Sequence, residues 1–500
     1  MVLTCLNQFQ FDNTYSKLPE HFFARLNPTP VQQPKLIKIN HQLAHHLGLD
    51  PDLLETPTGA EILVGNQVPE GAEPLAMAYS GHQFGSWVPQ LGDGRAILLG
   101  EIISLDGQRH DIHLKGAGRT PFSRNGDGRA WIGPILREYI LSEAMSALSI
   151  PTTRALAITT TGEAVMRESR LPGAVLARIA SSHVRVGTFQ FFSSRHDIEA
   201  LKILSKHVID RHYPEALESP NPYLALLEGV ITRQAELIAK WMAIGFIHGV
   251  MNTDNMSISG ETIDYGPCAF MDSYNPNMVF SSIDRMGRYA YAKQPEIAHW
   301  NLSCFASSIL PLINTNEEAA VKAATEKLNC FKEKFDSAWS SNFRSKIGLL
   351  NHRKGDDDLS QNLLDIMTTN EADFSLTFRR LCDISARKNS NDNTLDKPFT
   401  KLFKKPSVAE NWLQRWRTRL LLEELNDLER QTIMRTKNPA FIPRNHRVEE
   451  VILAALEEDL RPFEKLLGIL SLPFEDQPKN VNFQNSPRPD EVIHETFCGT

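Results

Sequence analysis

Apolar residues fall first in short strand-like runs and later in long helical stripes, which predicts an α+β chain. Ala96–Ile103 is a continuous run rich in Ile and Leu, and Asp111–Lys115 is a second strand-like segment leading to Gly116. Arg154–Thr159 and Ala174–Ile179 read the same way. One helix falls among them, from Gly133 to Leu148, with Ile135, Glu138, Leu141 and Met145 on one face. Pro134 suits its first turn and Ser149–Pro151 ends it. The spacing of Leu227, Val230, Ile231, Leu237, Ile238 and Trp241 predicts a long helix from Tyr223 to Phe246. Past residue 290 the chain is mostly helical, apart from a polar stretch, Arg387 to Pro398, predicted as a mobile loop. Four parts follow: an N-terminal extension (1–75), a strand-rich lobe (76–190), a larger helical lobe (191–475) and a flexible, polar tail (476–500).

Composition narrows the function classes. The chain has 500 residues, 41% hydrophobic and 23% charged, as in ordinary soluble globular proteins. Its 53 Lys and Arg against 60 Asp and Glu give a net charge of −7, which argues against a general binder of nucleic acid. A local basic pocket for phosphates remains compatible with that charge. No apolar run is long enough to cross a membrane, and the N-terminus reads as neither a secretory signal nor a transit peptide. The six cysteines (5, 268, 304, 330, 382 and 498) are scattered and form no CxxC pair, a reducing-compartment pattern. A cytoplasmic protein is expected.

The chemistry is concentrated in His248-Gly-Val-Met-Asn-Thr-Asp-Asn255, followed by Asp264-Tyr-Gly-Pro267. A kinase catalytic loop has His-x-Asp, then Asn five residues after the Asp, then a metal-binding Asp-Phe-Gly. Here the His and Asn are in place, but Val250 occupies the position of the catalytic Asp. An Asn carbonyl at 255 and a carboxylate at 264 suit Mg²⁺, which takes few protein oxygens and keeps its other positions for water and phosphate. Gly266 is expected to permit the sharp turn of that loop. Lys115 at a strand end and Glu138 in the following helix form the pair with which kinases aim an ammonium at phosphate oxygens. Leu91-Gly-Asp-Gly-Arg95 would let backbone approach phosphate, although such a turn is more often an ordinary surface feature. Arg178 and Arg185 stand in strand-like apolar surroundings, where an Arg needs an anionic partner, be it an ion pair or a ligand. Between Lys115 and the helix, Gly116 to Ala130 is glycine-rich and basic and would suit a lid over a nucleotide.

These strings, with Asn438-Pro-Ala-Phe-Ile-Pro-Arg-Asn445 and the terminal Phe-Cys498-Gly-Thr, resemble the selenoprotein O family, also called YdiU. The resemblance spans nearly the whole chain. It implies a protein-kinase-like, two-lobed fold that transfers AMP from ATP to Ser, Thr or Tyr hydroxyls of other proteins, with the nucleotide reversed in the cleft. UMP transfer with Mn²⁺ is also attributed to the family. The resemblance further implies Gly92, Gly94, Arg95, Lys115, Asp127, Gly128, Arg178, Arg185 and Asp264 as nucleotide contacts, Asp254 as the base, and Asn255 and Asp264 as ligands of Mg²⁺ or Mn²⁺. Some members carry selenocysteine near the C-terminus; this chain has Cys498 there. A disulfide between Cys498 and Cys268 would tie the tail across the substrate entrance, while the plainer expectation is two unrelated thiols. Two rivals remain: a protein or small-molecule kinase, disfavoured by Val250, and a non-catalytic pseudokinase scaffold, disfavoured by the intact Lys, Glu, Asn and Asp set.

Overall fold

The computed structural model describes residues 4–386 and 395–496. Its strands are β1 (Phe23–Arg25), β2 (Lys35–Ile39), β3 (Leu75–Met77), β4 (Gly81–Gln83), β5 (Ser86–Val88), β6 (Ala96–Ile103), β7 (Arg109–Lys115), β8 (Ala130–Trp131), β9 (Arg154–Met166), β10 (Arg170–Ala180), β11 (Phe246–Ile247) and β12 (Ala269–Phe270). The helices begin with α1 (His41–His46), α2 (Pro51–Leu54) and α3 (Pro57–Val64), then α4 (Ile132–Ala147), α5 (Val186–Ser193), α6 (Ile198–His212), α7 (Pro222–Ile244), α8 (Gln294–Ile313) and α9 (Glu317–Lys346). Among the described residues, seven more helices lie between Asp356 and Leu470. A sheet-rich N-terminal lobe and a helical C-terminal lobe result, as the pattern of the sequence predicted.

An eight-stranded sheet runs in the order β1-β3-β6-β7-β10-β9-β2, with β8 added to β10. Strands from the N-terminal extension close both of its edges. Successive side chains of a strand point to opposite sides, so β7 and β10 turn one apolar face to the first helices and carry apolar residues together with His113, Lys115 and Arg178 on the other. Val175 and Ala177 of β10 join Leu43, Leu54 and Leu63 of the first three helices in one core. Ala174 and Leu176 join Ile135 and Leu136 of α4 in another, together with Val448 and Phe463 from C-terminal helices. The expected strands at 154–159 and 174–179 are longer than the apolar runs that betray them, because β9 and β10 continue past the core as an extended hairpin.

The long helix arrives almost where its pattern placed it. Asn221 caps α7 by accepting from the Leu224 amide, Pro222 occupies the first turn, and Gly245 ends it in the left-handed region at φ 71°. The helix therefore stops at Ile244, and Phe246 belongs to β11, which pairs with β12. This two-stranded ribbon anchors the His248 loop. No helix among the described residues is long and apolar enough to cross a membrane.

Most of the polar stretch predicted as a mobile loop (387–394) lies outside the described residues, and its end starts a short helix, Lys397–Thr400. The tail, predicted to be flexible, makes fixed contacts as far as residue 496. The Ser486 hydroxyl donates to Asp373 at 2.5 Å, and the Thr496 hydroxyl donates to the Pro267 carbonyl at 2.6 Å.

Candidate active site

Three cations converge on one carboxylate at the junction of the lobes. Lys115, the last residue of β7, donates to Glu138 of α4 at 2.5 Å and to Asp264 at 3.1 Å. Arg178 of β10 donates to Glu138 at 3.2 Å and to Asp264 at 2.6 Å. Arg185, which caps α5, donates to the second Asp264 oxygen at 2.7 Å and to the Asp254 carbonyl at 2.7 Å. Arg178 and Arg185 are almost fully buried, whereas the Asp264 side chain keeps 19% of its exposure. Burial alone would oppose its ionisation, but Lys115, Arg185 and Arg178 hold its carboxyl well below the usual carboxylate range. Asp264 itself adopts the left-handed region at φ 60°, so the sharp turn expected at Gly266 is made two residues earlier, at Asp264.

Asp254 is set up differently. It sits in the single turn Thr253–Asn255 and is 7% exposed. One carboxylate oxygen accepts from the Gln83 amide at 3.3 Å; the other is buried without a partner. A Cβ on Gly81 would lie 2.5 Å from that second oxygen, so the absence of a side chain lets β4 pass this close. Burial pushes the Asp254 carboxyl up to about 6, with Arg185 opposing. A carboxylate with that affinity for a proton is poised as a general base near neutral pH.

The loop between them is held by buried hydrogen bonds. The His248 ring bonds the Ile263 carbonyl at 2.9 Å, and its amide donates to Gln294 at 3.0 Å. The Asn255 amide nitrogen donates to the Val250 carbonyl at 2.9 Å, which orients its side chain and leaves its carbonyl oxygen as a donor atom for a cation. A permanently ionised carboxylate and an amide oxygen are hard oxygen donors, so Asp264 and Asn255 fit a divalent ion such as Mg²⁺ or Mn²⁺.

The remaining sequence candidates form the roof. Gly92 (φ 93°) and Gly94 carry the turn before β6, and the segment from 116 to 129 folds back onto it. A Cβ on Gly92 would lie 2.4 Å from the Phe122 ring, and Thr120 donates to the Asp93 carbonyl at 2.7 Å. Gly128 packs against Gly118, where a Cβ would come within 2.2 Å of backbone. Arg95 lines a narrow crevice with Lys115, Glu138 and Gly266. Asp127 is exposed and directed elsewhere: its carboxylate holds Arg167 of the β9–β10 turn at 2.8 Å, and that hydrogen bond holds it below its ordinary pKa. Cys268 is buried beside this region, and Cys498 lies outside the described residues.

Several supporting residues escaped the sequence reading. His113 of β7 lies opposite Arg178 in register, accepts from its guanidinium at Nδ1 (3.0 Å) and faces Asp93 through Nε2 (3.1 Å). Burial keeps this imidazole neutral, which that tautomer requires. The signal was present: Asp111, His113 and Lys115 alternate with Ile112 and Leu114, marking one polar face on a buried strand. Gln83 gave no such signal, since nothing local distinguishes it from a polar turn.

Comparison with known proteins gives a consistent answer. Residues 5–471 match the family described as "Protein adenylyltransferase SelO". The chain is 59% identical over 493 residues to "Protein nucleotidyltransferase YdiU" of Bradyrhizobium diazoefficiens, covering 98% of this chain and 99% of that relative. It is 58% identical over 494 residues to a protein of the same name from Rhodopseudomonas palustris (strain HaA2), and 57% identical over 494 residues to one from Methylorubrum extorquens. Both matches cover 98% of this chain and 99% of the relative. With its kinase-like two-lobed fold, this chain belongs to the SelO family of nucleotidyltransferases.

Proposed function

We propose that the protein transfers AMP from ATP to Ser, Thr or Tyr hydroxyls of proteins, with Asp254 as the base and Lys115, Arg178 and Arg185 binding the phosphates. The observation that carries this reading is the contrast between Asp254, buried and raised to about 6, and the intact cation cluster around Asp264. Asp254 accepts the proton of the acceptor hydroxyl. The hydroxyl oxygen bonds to the α-phosphorus, the bond between that phosphorus and the oxygen bridging to the β-phosphate breaks, and diphosphate leaves. Lys115, oriented by Glu138, and the two arginines stabilise the charge that develops. The divalent ion that Asn255 and Asp264 would hold supplies charge neutralisation on the phosphates. Gly92, Gly94, Arg95 and Gly128 belong to the roof under which the nucleotide is to lie, whereas the Asp127 carboxylate is engaged by Arg167 of the β9–β10 turn.

The test is label transfer. ATP labelled on the α-phosphate is expected to label protein in the presence of Mg²⁺, and ATP labelled on the γ-phosphate is not. Transfer of the γ-label would make the protein a kinase, and transfer of neither label to any protein would favour the scaffold. The name the relatives share, protein nucleotidyltransferase, specifies no nucleobase, so UTP with Mn²⁺ belongs in the same assay as the second reading.

A further inference from the structure

Two histidines and an aspartate meet at the far end of β7 from the cation cluster. His46 ends α1, Asp106 sits in the turn between β6 and β7, and His110 is the second residue of β7. Among the described residues, these three bring one ligand atom each to within 4.8 Å of the others. Lys115 closes the same strand, roughly 17 Å away, so the group is separate from the candidate active site.

The fold explains why they meet. His110 shares the strand face of Ile112 and Leu114, which pack in one core with Leu43 of α1 and Leu47 just past it. The end of α1 is tied to the turn, where the Leu105 amide donates to the His46 carbonyl at 3.0 Å. The turn also aims the carboxylate. One Asp106 oxygen accepts from the Ser104 hydroxyl at 2.5 Å and from the Gln108 amide at 3.1 Å. The other oxygen faces His46 Nε2 at 3.6 Å.

That spacing is longer than a hydrogen bond, which would draw the two atoms to about 2.7–3.2 Å. It is close to the separation of two ligands of one tetrahedral ion, roughly 3.4 Å for bonds of about 2.0–2.1 Å. The main chain at all three residues is held by hydrogen bonds or by the core, so rotation of side chains is enough to close the set around an ion. The His46 and Asp106 side chains are 42% and 51% exposed, so an ion enters from solvent without opening the fold. Two imidazoles and a carboxylate suit Zn²⁺, whereas Mg²⁺ takes oxygen ligands of the kind that Asn255 and Asp264 offer.

We propose that His46, Asp106 and His110 bind Zn²⁺, which fastens α1 of the N-terminal extension to the β6–β7 turn of the strand-rich lobe. Three protein ligands leave the fourth position to water.

The experiment uses the full chain, stripped of metal by a chelator and dialysed against Zn²⁺ with Mg²⁺ in excess to compete for Asn255 and Asp264. Native protein is expected to bind one equivalent of zinc at micromolar concentration through this group. His46→Ala and His110→Ala should each weaken that binding by about 100-fold or more, since changes behind the ligands alone cost about 10–100-fold. Asp106→Asn keeps an acceptor for Ser104 and Gln108 but removes the charge, and should cost about tenfold. Hydrogen exchange locates the ion: zinc should slow exchange in residues 41–49 and 104–110 of native protein and in neither segment of His46→Ala. Without zinc, His46→Ala should melt at the native temperature, because the side chain is exposed, so its loss of binding is not a loss of fold. Equal zinc binding by native, His46→Ala and His110→Ala protein places the ion elsewhere and overturns the proposal. Binding only at millimolar zinc overturns it too. So does a loss with His46→Ala but none with His110→Ala, which reduces the group to a surface ion pair.

Discussion

Asp254 and Asp264 sit on one loop, have the same side chain, and are driven in opposite directions. Around Asp264 the protein gathers Lys115, Arg178 and Arg185, so its carboxylate stays ionised. Around Asp254 it places Gly81 of β4 and a neutral amide, with the Arg185 guanidinium bonded to the Asp254 main-chain carbonyl rather than to its carboxylate, so burial dominates and the proton is held up to about pH 6. Both residues are close to the same arginine, but Arg185 gives Asp264 its guanidinium against the carboxylate and gives Asp254 a hydrogen bond to the main-chain carbonyl. Titration is therefore set by which atom the cation touches, and the two carboxyls suit different work under the proposed function: one to anchor charge, the other to take up a proton.

The largest effect is expected on the anchored side. Asp264→Ala should remove activity by about three orders of magnitude, because charge stabilisation worth several kcal/mol is lost with the ion. It should also destabilise the fold by about 3–5 kcal/mol, since buried Arg185 loses its nearest counter-ion and buried Arg178 is left with Glu138 alone. Denaturant titration and label transfer together check this. A variant as stable as the native protein would show that the cations do not depend on Asp264.

Asp254→Asn should separate the two sides. Activity should fall by about 10²–10⁴-fold, the usual contribution of a general base. Stability should move the other way. The folded carboxyl is raised to about 6 from an ordinary 3.8, so its ionisation costs stability above pH 6 and costs nothing below the unfolded value. The substitution should thus stabilise the protein at pH 8 by about 1–3 kcal/mol, and that gain should vanish near pH 4. In the native protein, kcat/KM should fall with acid below about pH 6, as the base becomes protonated. A pH profile flat from 5 to 8 would remove Asp254 from the role.

How much of this was legible beforehand differs between the same two regions. The anchored side was visible because its chemistry is written in residue types that stand out: Lys115, Arg178 and Arg185 interrupt apolar strands, and Asp264 follows a kinase-like loop. The β-sheet and the long helix were visible through their apolar periods and caps. The base side was not readable from the residues, since Asp254 looks like any aspartate in a turn. What raises its affinity for a proton is tertiary: it is buried where Gly81 and Gln83, far away in sequence, arrive across the lobe junction. Asp127 shows the converse, a residue of the expected set whose nearest partner, Arg167, is contributed by a hairpin turn that no local pattern announces.

Within the anchored side the lysine pair gives a graded test. Lys115→Met should lower turnover by about 10²-fold, as for loss of one preorganised electrostatic donor. Glu138→Gln should cost less, about tenfold, because it keeps a hydrogen-bond acceptor beside Lys115 and Arg178 while removing the charge. Equal losses from both would mean that Glu138 does more than orient its neighbours.

The smallest expected effect concerns the position where a kinase keeps its base. Val250 is half-buried, and it serves the loop through its main chain: its amide contacts His248 Nδ1 at 3.4 Å and its carbonyl accepts from Asn255. Val250→Asp leaves both contacts available, so folding and ion binding should be little changed. It also leaves Lys115, Arg178 and Arg185 where they are, and under the proposed function these cations set how the phosphates lie. The variant should therefore still transfer the α-label and should gain no transfer of the γ-label, although it now carries the kinase residue. Thin-layer separation of products from doubly labelled ATP reads both at once. A γ-phosphoryl product from Val250→Asp would show that the missing aspartate, rather than the placement of the nucleotide, separates this protein from a kinase.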